Sequence, residues 1–526
     1  MWSALTLTIV GLIALPILTI AVKLYNGPGE SWKHLVDTVL SDYISNSLLL
    51  IIGTTILTLL FGVSSAWVVS RYDFRFRKQL EWLLILPLAI PSYIIAYAYA
   101  GMFDYGGTIE KVTFGVFPKF DVMNITGLIW VLSISLYPYV YVAARTFFLN
   151  QSGRLFEASK VLGVGELKAL KKLIIPLARP AIIGGLVLVL MEVLNDYGAA
   201  KYYGVSTFTT GIFRAWFSLE EPETAIYLSA LLVAVIFILL GLERWQRNKI
   251  GYAINSKTQV PLIRLIPGRK NKIIIYLIVG IPVFFGFLIP LIQLIYWALL
   301  TYETVLNDGF LSTAIQSFLI AVLAAIFTVI FALALIYFTK WNRLRLLDYI
   351  TKIGTLGYAI PGAVIAIGVL IPTLGFDKWL ISYVSEHFQT KIGFFINGTI
   401  LVLVYAYTVR FMAVAHNPIE AVCLKVNKSM SESSKILGQS ALKTFFKIEL
   451  PLIKTGVFGG LVLVFVDVMK ELPLTLILKP YQVQTLAVKA YEYASDEQIM
   501  EAALPSLLII ATGVLPVILL NKLINR

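Results

Sequence analysis

Charge and cysteine are scarce in this chain. Asp, Glu, Lys and Arg together make up 14% of its 526 residues, against about 25% in soluble globular proteins. With 58% hydrophobic residues and a mean hydropathy of +0.83, a water-soluble fold is excluded and an integral membrane protein is expected. The single cysteine, Cys423, excludes an internal disulfide and any multi-cysteine metal centre. Three histidines (His34, His387 and His416) stand far apart in no ligand spacing, so no stable metal site is expected. No Gly-x4-Gly-Lys-Ser/Thr phosphate loop occurs, so no cofactor is expected on this chain and any ATP must be hydrolysed by another. His-Glu-x-x-His and Gly-x-Ser-x-Gly are also missing, which leaves a membrane-embedded enzyme without a nucleophile or a metal constellation.

What is present is apolar sequence in long runs. A spanning helix needs about 20 apolar residues. On that measure about twelve spans are expected, near 5–25, 45–70, 81–103, 126–149, 178–196, 224–243, 273–300, 314–338, 350–373, 395–416, 454–472 and 503–522. The first run lacks a basic segment ahead of it and is read as a retained span, not a cleaved signal peptide. The 27 Tyr and 10 Trp suit helices anchored at headgroup level in membrane lipid.

A net charge of +13 would suit nucleic acid, but its distribution points elsewhere. Positive residues cluster in alternate short loops: Arg71, Arg75, Arg77 and Lys78, then Lys160, Lys168, Lys171 and Lys172, then Arg244 to Lys272, and again Lys340 to Arg345 and Lys425 to Lys447. The loop at 301–312 has neither Lys nor Arg. This positive-inside pattern places those clusters, and both termini, on the cytoplasmic side of a multi-pass membrane protein, and no nucleic acid is expected as a partner.

The chain is written twice. Glu157 to Pro176 recurs without a gap 275 positions later as Glu432 to Pro451: Gly163 returns as Gly438, Lys168 as Lys443, Lys172 as Lys447. The match continues from Gly184-Gly185-Leu186-Val187 to Gly459-Gly460-Leu461-Val462. An earlier block, Leu86 to Pro91, matches Leu356 to Pro361 at an offset of 270, which Ser47 and Ser317 share. The change of offset implies a small insertion in a loop of the second half. Repetition at a long period decides the architecture. The expected fold class is all-α and membrane-integral, in two tandem halves of six spans. An even number puts both halves in one orientation about a pseudo-two-fold axis along the membrane normal, with a pathway between them. The division expected is a first span with its extracytoplasmic segment (1–41), a first permease-like unit (42–247), a cytoplasmic linker (248–272), a second leading span (273–310) and a second unit (311–526).

The repeated polar segments, 150–176 and 420–451, each look like two short amphipathic helices joined at a glycine, the second stopping near Pro176 or Pro451. Gly163 and Gly438 fall where a helix would end in a left-handed turn, which glycine adopts at little cost. The spacing Glu-x5-Gly-x9-(Ile/Leu)-x-(Leu/Ile)-Pro resembles the "EAA" signature of permease subunits of ATP-binding cassette importers. Glu157, Ala158, Gly163 and Pro176 carry the first copy, and Glu432, Gly438 and Pro451 the second, with Ser replacing later Ala residues of the signature. The resemblance covers essentially the whole chain and implies two fused MetI-like halves. It also implies two ATPase subunits docked at these loops and a periplasmic or lipid-anchored solute-binding protein delivering substrate. Stretches such as Asp467-Val468-Met469-Lys470-Glu471 resemble the ferric-iron branch, while thiamine or another small solute is the alternative cargo. The plain alternative for the loops is a solvated basic segment that only enforces topology. For the whole chain it is a secondary transporter driven by an ion gradient, which has no need of a duplicated docking loop.

Each span behind a loop carries two acids four residues apart: Glu192 and Asp196, and Asp467 and Glu471. That spacing predicts one helix face, and intramembrane carboxylates by default face an interior or wet cavity. The four are candidate substrate-path residues, since oxygen ligands suit hard cations. Pairing of Lys470 with Asp467 or Glu471, as a helix brace, is the competing expectation.

Overall fold

The computed structural model describes residues 2–116, 120–249, 264–340, 351, 354–390, 393–424, 426 and 428–524. In a bilayer a backbone must satisfy its own polar groups, so the apolar runs fold as helices. Among the described residues the only strand-like pairing is an isolated bridge between Tyr72 and Leu265. Among the described residues ten helices are long and apolar enough to cross a membrane, and a bent pair, Arg77–Ala89 with Ser92–Phe103, makes up to one more if it is a single broken span. The final helix, Ala503–Ile524, begins with the apolar stretch Ala503–Val514.

Two expected spans differ for one reason. The run at 81–103 is broken, its two parts bent by 91°. A 3-10 turn at Leu86–Ala89 leads to Pro91, and a new helix starts at Ser92. In the second half a 3-10 turn at Leu356–Ala359 leads to Pro361, so the span expected from 350 starts instead at Gly362. Proline has no N–H to donate and disfavours helix in the residue before it.

The halves diverge next. The first of these helices ends at Phe103 after 12 residues, whereas its counterpart runs 27 residues to Phe388. Helix starts differ by 270 before this region (Ser92, Gly362) and by 275 after it (Ile125, Ile400), so the extra length falls here. The longer helix holds its return loop through buried Asp377, which accepts backbone N–H bonds from Phe395, Ile396 and Asn397 at 2.8–3.2 Å.

A second proline device recurs three times. The π-helical turns Leu170–Ile174, Phe284–Leu288 and Phe445–Glu449 each end two residues before a proline: Pro176, Pro290 and Pro451. A π turn carries one extra residue and realigns the carbonyls that the proline ring would otherwise strike. Helix therefore continues through each proline. The second coupling-loop helix, expected to stop near Pro176 or Pro451, runs on into the span as Leu170–Asn195 and Leu442–Met469.

The chain divides into two compact units, Gly29–Tyr302 with Glu492–Ala511, and Met1–Pro28 with Glu303–Tyr491 and Thr512–Arg526. The leading span of each sequence half is packed in the unit built mostly from the other. The helix Trp2–Lys23 lies against Asp308–Lys340 and Gly362–Phe388. There Gly368 admits the Pro16 carbonyl (a Cβ would sit 2.5 Å from it), and Tyr405 donates to the Leu12 carbonyl at 2.5 Å. The second leading span, Asn271–Val305, lies in the other unit, where Tyr99 donates to the Phe285 carbonyl at 2.7 Å and Gly286 approaches the Ile134 carbonyl. Small residues at such contacts let helix backbones approach closely. Of the expected linker, 250–263 lies outside the described residues. Beyond it Leu265 exchanges backbone hydrogen bonds with Arg71 and Asp73, both 2.9 Å.

Candidate coupling loops and intramembrane acids

At the glycine turn the two repeated loops share a backbone path down to single hydrogen bonds, though they are entered differently. In the first, the 37-residue helix Ile125–Val161 runs from the span into the loop without a break. Only the second copy has a separate short helix, Lys428–Ile436, after Ile400–Cys423. Each helix then ends at a left-handed glycine, Gly163 at φ +68° and Gly438 at φ +74°. The N–H of Val164 donates to the Ser159 carbonyl at 2.9 Å, and that of Gln439 to the Ser434 carbonyl at 3.1 Å. These bonds, reaching back five residues, satisfy helix-end carbonyls that would otherwise be orphaned.

Beyond the glycine the chain turns back at once into Glu166–Ala169 or Ala441–Thr444. One small residue of the signature is buried in each copy, while Ser433 beside it is exposed. Ser434 is buried and its hydroxyl lies 2.9 Å from that of Thr444. The corresponding Ser159 and Ala169 are also buried. Serine in place of alanine is thus accommodated, and in the second copy it ties the two arms together. The side chains of Glu157 and Ala158 lie outside the described residues; Glu432 is exposed. Lys168, Lys171 and Lys172, and Lys443 and Lys447, point into solvent.

One feature escaped the sequence reading. Immediately before each glycine stands a pair of large apolar residues in solvent: Val161 and Leu162 at 87% and 78% exposure, Ile436 and Leu437 at 86% and 77%. Each pair recurs at the same offset of 275. Exposed apolar surface of this kind is typical of sites that meet a protein, a membrane or a ligand. The signal was in the sequence, as Val-Leu-Gly and Ile-Leu-Gly, but charge drew attention away from it.

The second acid of each pair falls just past the end of its helix. The helix Ile175–Asn195 ends one residue before Asp196, whose backbone is extended (φ −65°, ψ 122°), and Leu450–Met469 ends two residues before Glu471. Asp196 directly follows the last helical residue and stays close enough to Glu192 for their charges to interact, whereas Glu471 lies beyond the non-helical Lys470. Asp196 and Glu471 instead stabilise the short helix that follows. Asp196 accepts N–H bonds from Ala199 and Ala200 at 3.0 and 3.1 Å, and Glu471 accepts one from Leu474 at 3.2 Å. The short helices Gly198–Tyr202 and Pro473–Leu478 begin 275 positions apart.

The chain matches, over residues 58–248 and 342–526, the family described as the binding-protein-dependent transport system inner membrane component. It belongs to that family. The permease is similar along its full length to the Fe(3+)-transport system permease protein FbpB 2 of Haemophilus influenzae, with 27% identity over 99% of this chain and 98% of that protein. It is 23% identical to the ferric transport system permease protein FbpB of Actinobacillus pleuropneumoniae, over 81% of this chain and 63% of that one. The sulfate transport system permease protein CysT of Salmonella typhimurium is 23% identical over 42% of this chain. The protein is therefore the multi-pass membrane permease component of a binding-protein-dependent transport system.

The permease surrounds its two helix-breaking acids differently. In the first half Ser92 donates to Asp196 at 2.5 Å. In the second half the matching position is Gly362, where a Cβ would lie 2.5 Å from Glu471 Oε1 and 2.7 Å from Arg410 Nη1. That space holds a buried ion pair, Arg410 Nε to Glu471 Oε2 at 3.2 Å, with Arg410 Nη1 also donating to the Ile360 carbonyl at 3.3 Å. Of the two remaining acids, Asp467 pairs with Lys470 at 2.9 Å, the brace considered from sequence, and Glu192 is half-buried. Among the described residues no group of three or more His, Cys, Asp or Glu is placed to hold a metal ion.

Proposed function

We propose that the permease moves ferric iron, released by a solute-binding protein on its outer face, inward at the expense of ATP hydrolysed by two ATPase subunits docked on its loops. The observation that carries the cargo is the likeness to an Fe(3+)-transport permease over 99% of this chain, both halves included. Docking is supported by the loops themselves: twin glycine turns, lysine rims and the apolar tips Val161–Leu162 and Ile436–Leu437. Glu157, Ala158, Pro176, Glu432 and Pro451 belong to the same two docking elements, with both termini and both loops on the cytoplasmic side. Because helix runs unbroken from each loop through a π turn into the span, closure of the ATPase pair moves that span as a lever. Uptake of radioactive iron by vesicles holding permease, ATPase and binding protein tests the reading. Uphill uptake by the permease alone, in ATP-free vesicles on an imposed ion gradient, would refute it.

Within the path, Glu192 and Asp467 are the acids assigned to transient contact with the ion, while Asp196 and Glu471 hold the helix breaks that shape it. Weak, multiple oxygen contacts let an ion pass without being retained. Glu192→Gln and Asp467→Asn are expected to cut iron uptake about tenfold while binding-protein-stimulated ATPase activity persists. Normal uptake by both variants would return these acids to a bracing role.

A further inference from the structure

We infer that a cavity in the first half of the permease, at the opposite end of the Ile175–Asn195 helix from the coupling loop, binds a small oxyanion or carboxylate. The cavity has a volume of about 470 Å³. Lys201 and Arg214 both line it and both are exposed, and no carboxylate is among its lining residues. Asp42 and Glu220 are near in sequence, but neither contributes to the wall. Two like charges on one cavity repel each other unless an anion lies between them. Arginine's planar fork, beside a lysine point charge, suits an oxyanion or a carboxylate.

The site is built and its cations are held. Lys201 sits on the short helix that Asp196 stabilises through Ala199 and Ala200. The Arg214 guanidinium donates toward the Tyr43 hydroxyl. Tyr43 is itself fixed, 2% exposed, with its ring against Gly211, where a Cβ would lie 2.5 Å from Cε2. Tyr197 stacks on Phe213 with centroids 3.7 Å apart and planes 16° from parallel, giving an aromatic floor. The Asn46 amide donates to the Ser206 carbonyl at 3.0 Å and holds the wall between them.

The repeat supplies an internal control. At the offset of 275, Lys201 becomes Leu476, Tyr197 becomes Leu472 and Phe213 becomes Val488, while Arg214 becomes Lys489. The second half keeps cations at matched lining positions, Lys489 for Arg214 and Lys479 for Gly204, but loses the aromatic floor. The chemistry has two sources, a free anion in solution or the phosphate of a lipid headgroup.

The experiment uses the full-length permease in nanodiscs and needs neither ATPase nor binding protein, so its result is independent of the cargo. Radiolabelled inorganic phosphate and citrate are titrated in discs of zwitterionic lipid. Saturable binding is expected, weakened about tenfold or more by Lys201→Gln with Arg214→Gln and unchanged by Lys489→Gln. Both cations are exposed, so the double variant should chromatograph as the parent does. Preparations from phosphatidylglycerol-containing membranes form the second arm: loss of co-purifying phosphatidylglycerol in the double variant would assign the same site to a headgroup phosphate. Equal binding of phosphate and citrate by parent and double variant, or no saturable binding together with equal lipid retention, would overturn the inference.

Discussion

Gly163→Val is expected to leave the permease inserted in the membrane while uncoupling it from its ATPase, and Gly438→Val to do the same in the second loop. Both glycines have positive φ, and a Cβ added at either would meet nothing within 4 Å. No clash contributes; the whole cost is conformational. A β-branched residue in the left-handed region costs about 1–3 kcal/mol, a roughly 5- to 150-fold shift against the bent loop. That bend presents the apolar pairs Val161–Leu162 and Ile436–Leu437, so its loss should reduce ATPase co-purification and transport together. Gly163→Asn is the control, because asparagine visits the left-handed region with little strain, and it should retain most coupling. Undiminished iron uptake and ATPase retention in the double valine variant would remove the loops from the coupling role. The single variants need not be equal, because only the first loop continues an unbroken helix from its span.

Arg410→Leu is expected to be the most destabilising single substitution in the second half. Arg410 and Glu471 are 5% and 7% exposed and 3.2 Å apart. Removing one member leaves the other as an uncompensated buried charge, at a cost of about 3–5 kcal/mol. Replacing both by leucine removes the charges together and should recover much of that loss, since a buried pair contributes little net stability beyond an apolar pair of similar size. The measurement is the thermal unfolding midpoint of the detergent-purified permease, read beside its monodisperse yield. If Arg410→Leu unfolds at the parent's temperature, or the double variant is no better than the single, the pair is not holding the helix break. Ser92→Ala gives the contrast. It leaves Asp196 its two backbone donors and removes one hydrogen bond to a charged group, about 1.5–3 kcal/mol.

Local sequence was a good guide wherever local physics decides. Apolar runs of spanning length gave helices because a membrane offers the backbone no other partner. Gly163 and Gly438 were readable as turns because only a residue without a Cβ takes that conformation freely. Prolines misled for an equally local reason. Pro176 and Pro451 looked like stops, yet a π turn before each carries the helix through. Pro91 and Pro361, read as lying within spans, break them. The same residue type ends one helix and is absorbed by another, and what differs is whether the preceding turn can take one extra residue.

The acids show where periodicity runs out. A spacing of four guarantees one face only while the helix lasts: Asp196, at the cap itself, stays near Glu192, but Glu471 lies two residues past Met469. Nothing in either pair's own residues announces the break; it becomes intelligible once Asp196 and Glu471 are seen accepting N–H bonds from the next short helix. The difference between Ser92 and Gly362 was visible in the sequence, but its meaning was not. Glycine there makes room for a guanidinium contributed from Arg410, some 50 positions away.

By itself the sequence determined that this is a helical membrane protein, that it was made by doubling one unit, and where the doubled polar loops lie. Those properties follow from composition, from spacing and from repetition, each of which is a property of the chain read in order. Only the tertiary structure decided that each leading span packs with helices of the other half. It alone showed that one half braces its helix break with a serine and the other with an ion pair. Apolar helices carry no address that says which neighbour they will meet. That choice rests on where small residues such as Gly286 and Gly368 let backbones approach, and on buried polar groups finding partners, terms that exist only after the chain has folded.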